Sequence, residues 1–167
     1  MTDDRPRLIL ICGLPGVGKT TLARKLEAEL PAFRLCGDEW MAQLGFDPHD
    51  EPARDRIEAL FWQLARRVLA RGQSVILESG FWLKSDRDEK RAGAGALGVA
   101  VELHWLDVPL DERWRRVERR NAQAAFGAVP ITREQLAGWD VFFDAPAAEE
   151  LALFDPPTVA GLSCAPS

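Results

Sequence analysis

Lys19 and Thr20 close the stretch Gly13-Leu14-Pro15-Gly16-Val17-Gly18-Lys19-Thr20, which has the spacing G-x-x-x-x-G-K-[ST]. Glycines at those positions let the backbone curl until successive N–H groups point inward as a nest for an anion. A lysine at the seventh position can bridge the outer phosphates of a polyphosphate. The hydroxyl that follows can ligate a divalent cation, and Thr21 comes next in line. The chemistry written into this stretch is the holding of a nucleoside triphosphate, ATP or GTP, with its magnesium ion. No base-reading pattern separates the two nucleotides.

Other residues able to do chemistry lie further along. Asp38 follows the short apolar stretch Phe33-Arg34-Leu35-Cys36, and Glu78 ends Ser74-Val75-Ile76-Leu77. Asp38 is a candidate proton acceptor or, alternatively, the N-cap of a short helix through Trp40 and Met41. Its neighbour Glu39 is the weaker rival for that role and reads as solvated. Glu78 is a candidate for the metal or for a substrate, with a buried or capping role as the alternative. The segment Asp111-Glu112-Arg113-Trp114-Arg115-Arg116-Val117-Glu118-Arg119-Arg120-Asn121 is dense in arginine, and Arg116 and Arg120, four apart, share a helix face. Arg113, Arg115 and Arg119 read as a solvated face paired with Asp111, Glu112 and Glu118. Trp40, Phe81 and Trp82 suit either the wall of a small-molecule pocket or plain core packing. His49 and His104 have no nucleophile or metal set around them and read as structural.

The elements needed to position these groups follow from periodicity. Leu8 to Cys12 is a continuous apolar run, as in the buried strand of a parallel sheet. Leu22, Ala23, Leu26 and Leu30 give a helix from Thr20 to Leu30, closed by Pro31. Gly45 to Pro52 is turn-rich. A long helix is expected over Ala53 to Ala70, with Ile57, Leu60, Phe61, Leu64, Ala65 and Val68 on its buried face and Gly72 as its stop. Strands are expected at Phe33–Cys36, Ser74–Glu78 and Val99–Leu106. Further helices are expected at Ser85–Leu97, at Leu110–Ala125 with Leu110, Trp114 and Val117 toward the core, and at Thr132–Phe143, opened by the Thr132/Gln135 capping pair. Alternating strands and helices define an α/β fold: a three-layer arrangement with a short parallel sheet of four or five strands. The glycine loop, Asp38 and Glu78 all fall at carboxyl ends of strands, where such sheets gather their ligands.

Composition narrows the class. The chain has 167 residues and a net charge of −5, so no global basic field attracts a polyanion, which weighs against nucleic acid as a partner. Three cysteines, Cys12, Cys36 and Cys164, show no metal-binding spacing and fit a reducing cytoplasm. The opening residues lack the pattern of a signal peptide, and no apolar run is long enough to span a membrane. Residues 1–155 are expected to form one domain, and 156–167 a loosely packed tail.

The order Gly13 to Thr21, Asp38-Glu39-Trp40, Val75 to Trp82, Asp107-Val108-Pro109 and Arg116 to Asn121 resembles the small P-loop kinases and phosphotransferases: chloramphenicol phosphotransferase, zeta-toxin kinases, gluconate kinase and the kinase half of polynucleotide kinase. It also resembles compact bacterial AAA-like ATP-binding proteins. The resemblance implies a kinase-type P-loop NTPase fold with a helical lid near residues 110–130. It implies Lys19 at the phosphates, Thr20 and Glu78 at magnesium, Asp38 as base toward a substrate hydroxyl, and Arg116 and Arg120 closing over the transferred group. The expected acceptor is a small-molecule hydroxyl. A polynucleotide 5′-hydroxyl kinase and a regulatory nucleotide-hydrolysing module are the alternatives.

Overall fold

The computed structural model describes residues 5–123 and 130–159. Four strands, β1 (Arg7–Cys12), β2 (Ala32–Cys36), β3 (Ser74–Gly80) and β4 (Ala100–Trp105), form one sheet in the order β2-β3-β1-β4, and every pairing is parallel. The helices are α1 (Lys19–Glu29), α2 (Gly37–Gln43), α3 (Glu51–Leu69), α4 (Lys84–Gly95), α5 (Leu110–Gln123), α6 (Arg133–Asp140) and α7 (Ala148–Leu151). Parallel neighbours need crossovers, and the helices between strands supply them. Each helix expected from periodicity is present. The short α7 was not expected, because four residues carry no periodic signal.

Because β1 is central, all six of its residues are buried. Its alternate side chains feed two separate cores. Leu8, Leu10 and Cys12 join Val75, Leu77 and the buried side of α3, whereas Ile9 and Ile11 join Ile76, Leu22, Ala23 and Leu26 of the α1 layer. This is the expected three-layer architecture. The long helix turns slightly from the expected face. Ala53, Ile57, Phe61, Ala65 and Leu69 are buried, while Leu60 is 60% exposed and Leu64 39%. The apolar stripe in the sequence is wider than the contact that one sheet face offers.

Pairing between β1 and β3 runs Leu8↔Val75 to Leu10↔Leu77, then slips so that Cys12 faces Gly80. One extra residue is therefore accommodated on β3 beside Glu78, a bulge of the kind that re-aims side chains at sheet ends. Along the outer edge of β4, Asp155 donates its backbone N–H to Val101, and its carboxylate accepts from the Val101 N–H. Thr158 donates both its backbone N–H and its hydroxyl to buried Glu102, and Val159 packs on the α1-side core. The first residues of the expected loose tail are thus held by hydrogen bonds to β4. Residues 160–167, with Cys164, and residues 124–129 of the expected lid lie outside the described residues. Among the described residues no helix is long and apolar enough to cross a membrane.

Candidate active site

Gly18 is the N-cap of α1, in the left-handed region at φ 99°, and no side chain bonds the open N–H groups of the first turn. An α-helix of this length with bare first-turn amides presents both donors and the positive end of its dipole to an anion. Gly13 and Gly16 also have positive φ. A Cβ at Gly13 would lie 2.9 Å from the Leu106 carbonyl oxygen, and one at Gly16 3.0 Å from that of Arg113, so the loop is pressed against β4 and α5. Lys19 Nζ donates to the carbonyls of Gly13 and Leu14, both at 3.0 Å. It thereby spans the concavity of the loop. Burial pushes its pKa down to about 8, against the pull of Asp38 and Glu78. Leu14, Pro15 and Val17 complete the loop, and Thr21 is exposed on the first turn of α1.

The Thr20 hydroxyl donates a short hydrogen bond to Glu78 Oε1. The other carboxylate oxygen, Oε2, accepts from Arg34 Nη1 at 2.9 Å. Arg34 also reaches Glu27 and takes both oxygens of Glu39. Burial by itself would disfavour the charge on Arg34, but the hydrogen bonds to Glu39, Glu27 and Glu78 outweigh it and hold the guanidinium firmly charged. Glu39, expected to be solvated, is instead fixed by Arg34 and Arg24, whose hydrogen bonds lower its pKa. The sequence offers little warning of Arg34. Its register opposite Ile76, two residues before the Cys36↔Glu78 pair, puts it on the Glu78 side of the sheet. Thr20 and Glu78 are hard oxygen donors of the kind magnesium takes once or twice from protein, the remainder coming from phosphates and water. Among the described residues, no group of three or more His, Cys, Asp or Glu gathers as a wholly protein-made metal cage.

Asp38 stands in the first turn of α2, and the N-cap there is Cys36, so the capping alternative does not hold. Its side chain is 78% exposed and accepts from Arg54 Nη1 at 2.6 Å. Glu58, one turn along α3 from Arg54, comes up under Gly37, where a Cβ would sit 3.7 Å from its Oε1. Burial pushes the Glu58 carboxyl up to about 7; Arg54 opposes this, while Asp55, Asp38 and Asp86 add to it. Trp40 meets Phe61 edge-on at 5.2 Å, and Trp82 lies 6.2 Å from Trp139. Phe81 is buried with φ 47°, rare for a residue with a side chain. Arg87, fully buried, supports it by donating to its carbonyl at 2.9 Å and grips Glu150 of α7 through two hydrogen bonds. His49 is exposed, and His104 is buried against Glu102 at 2.8 Å; neither joins the site.

Of the α5 arginines, Arg116 reaches the loop. It donates to the Val17 carbonyl at 3.2 Å while Glu112 holds its Nε. Arg120 is exposed one turn on, close enough for its charge to act on Lys19. Arg115 pairs with Glu112, as a solvated face would. Arg113, expected on that face, is only 3% exposed and donates to the Val108 carbonyl and to Asp140. It takes a core position with Val117, whereas Trp114 is half-buried. Asn121 bonds Ile131 in both directions and closes the α5–α6 hairpin.

A parallel sheet of this order, with a glycine loop feeding α1 and carboxylates at the ends of β2 and β3, defines a P-loop NTPase of the kinase type. Residues 8–146 match the AAA domain family, and the chain belongs to that family. No curated protein matches the sequence. Among solved structures, Kti12 of Chaetomium thermophilum in complex with ADP-AlF3 superposes with a TM-score of 0.67 at 20% identity, covering 89% of this chain and 86% of that one. A gluconokinase from Sinorhizobium meliloti gives 0.60 at 18% identity, covering 94% and 91%. The Pnkp1/Rnl/Hen1 RNA repair complex gives 0.67 at 20% identity; 83% of this chain is covered, but it spans only 44% of that one.

Proposed function

We propose that the chain is a magnesium-dependent kinase that moves the γ-phosphoryl group of ATP or GTP onto a hydroxyl of a small molecule. The observation that carries this reading is the Thr20–Glu78 contact beside Lys19, with Asp38 just beyond the end of β2, the strand next to β3. The loop amides and Lys19 hold the phosphates. Thr20 and Glu78 would hold magnesium, which would supply charge neutralisation for the transfer. Asp38 leaves Arg54, orients the acceptor hydroxyl and takes its proton. The acceptor oxygen forms a bond to the γ-phosphorus, the bond to the β–γ bridging oxygen breaks, and the nucleoside diphosphate leaves. Arg116 and Arg120 neutralise charge on the group in flight. A cytoplasmic setting belongs to the same proposal.

The test is a screen for ADP release over hydroxyl-bearing small molecules, with a 5′-hydroxyl oligonucleotide included. The open position of Asp38 and the likeness to the RNA repair complex favour that second acceptor; the net charge of −5 opposes it. Release stimulated by a small molecule supports the first reading. Stimulation by the oligonucleotide alone replaces it. Hydrolysis indifferent to every acceptor removes both.

Two further results are expected. Lys19 must be protonated to hold phosphate, and its pKa is about 8 in the free protein. Affinity for ATP, measured calorimetrically, should therefore fall about tenfold per pH unit above 8. Lys19→Arg, which stays charged throughout, should flatten that profile. In the free protein the sign reverses: the folded state disfavours the charge, so stability should rise with pH between about 8 and the ordinary lysine value of 10.5. The second result concerns Glu78→Gln, which keeps an acceptor for Thr20 but loses the charge. The magnesium concentration for half-maximal ATP binding should rise by about 10–100-fold, with metal-free affinity unchanged.

A further inference from the structure

Glu78 is buried near the end of β3, and each of its two carboxylate oxygens has a different partner. Oε1 accepts from the Thr20 hydroxyl, at the head of α1. Oε2 accepts from Arg34 Nη1, on the neighbouring strand β2, at 2.9 Å. Oε1 is therefore the oxygen turned toward the phosphate-loop helix, and Oε2 is the one closed off by a cation of the protein itself.

Arg34 is not a partner free to move aside. Its Nε donates to Glu27 at 3.0 Å, and its Nη2 donates to both oxygens of Glu39, at 2.8 and 2.7 Å. Glu39 is held in turn by Arg24 at 2.9 Å. The guanidinium, with only 9% of its side chain exposed, is thus anchored by two other carboxylates. Its planar fork then fixes the direction of the bond to Glu78, as the rotatable ammonium of a lysine would not.

A carboxylate with one oxygen held in this way has one oxygen left for a cation. Magnesium is small and strict about octahedral geometry, and a single oxygen from each carboxylate suits it. Calcium is larger, takes about six to eight oxygens, and accepts a carboxylate through both of them. Closing Oε2 therefore removes a mode of binding that only the larger ion uses well.

We propose that Arg34 is a positioning residue that sets metal selectivity: by holding Oε2 it keeps Glu78 a one-oxygen donor, which favours magnesium over calcium beside the nucleotide. The proposal rests on the reading of Thr20 and Glu78 as the metal residues. It adds a residue of β2 that acts only through Glu78.

The experiment is calorimetric titration of the full chain with whichever of ATP and GTP it binds, at saturating magnesium or saturating calcium. The readout is the Kd with calcium divided by the Kd with magnesium, so that any general loss of nucleotide affinity cancels. The ratio should be about ten or more in the parent and about two or less in Arg34→Met. Arg34→Lys keeps the charge without the fork, and its ratio should fall at least about threefold. That variant decides the matter if Arg34→Met does not fold. A parent ratio near one, or variant ratios equal to the parent's, would overturn the proposal. So would a ratio lost in Arg34→Met but kept in Arg34→Lys, because charge and not geometry would then be responsible. Glu78→Gln separates this proposal from the reading beneath it. A magnesium requirement that rises in Glu78→Gln, beside unchanged ratios in the Arg34 variants, removes the proposal alone. A requirement unmoved in Glu78→Gln, or a chain that binds neither nucleotide, removes both.

Discussion

Asp38→Asn should lower acceptor-dependent phosphoryl transfer by roughly 10²–10⁴-fold while leaving ATP affinity within about twofold of the parent. Asparagine keeps the shape and can still accept from Arg54, which reaches Asp38 at 2.6 Å in the free protein. What it loses is the ability to take a proton. The effect should therefore fall on kcat rather than on nucleotide binding, because the phosphates are held by a separate element, the loop and α1. Acceptor-stimulated ADP release beside a calorimetric ATP titration measures both quantities. Full turnover in the variant would take Asp38 out of the chemistry. A joint loss of binding and turnover would mean that α2 serves the fold of the loop instead.

Arg87→Met should cost about 3–5 kcal/mol of folding stability, a fall in Tm of about 10–15 °C for a domain of this size. Arg87 is 0% exposed, and its two hydrogen bonds to Glu150, at 2.6 and 2.9 Å, join α4 to α7. Removing the guanidinium strands a carboxylate that is itself only 4% exposed. It also strips the Phe81 carbonyl of its donor, at a residue whose φ of 47° must be stabilised by its surroundings. Replacing both charges, as Arg87→Met with Glu150→Met, should recover most of the loss, since the main penalty is the orphaned charge. Thermal melts of the four proteins form a double-mutant cycle. Simple additivity of the two single effects would contradict the account.

These two predictions differ in how far the sequence foretells them. The loop, α1 and the buried β1 are legible because their signals are local: a fixed spacing, an apolar run, a three-and-four periodicity. The placement of Asp38 and Glu78 near neighbouring strand ends is legible because the carboxyl ends of a parallel sheet lie along one edge. The charged ties are another matter. Arg87 and Glu150 are 63 residues apart and Arg34 and Glu78 are 44 apart, so only the folded register brings them together. Arg113 misleads because a helix with five arginines looks solvated all round, yet α6 brings Asp140 to it and makes burial affordable. Leu60 and Leu64 mislead in the opposite direction, since hydrophobicity alone does not say which part of a broad stripe meets the sheet.

The central claim is that bare amides at the head of α1, with Lys19, grip a polyphosphate. Calorimetric titration of the purified chain with magnesium and ATP, then GTP, in parallel with Lys19→Ala, tests it directly. Saturable binding of at least one nucleotide, weakened by about 100-fold or more in the variant, is the predicted result. Heats indistinguishable from dilution with both nucleotides, or a variant that binds as the parent does, would contradict it.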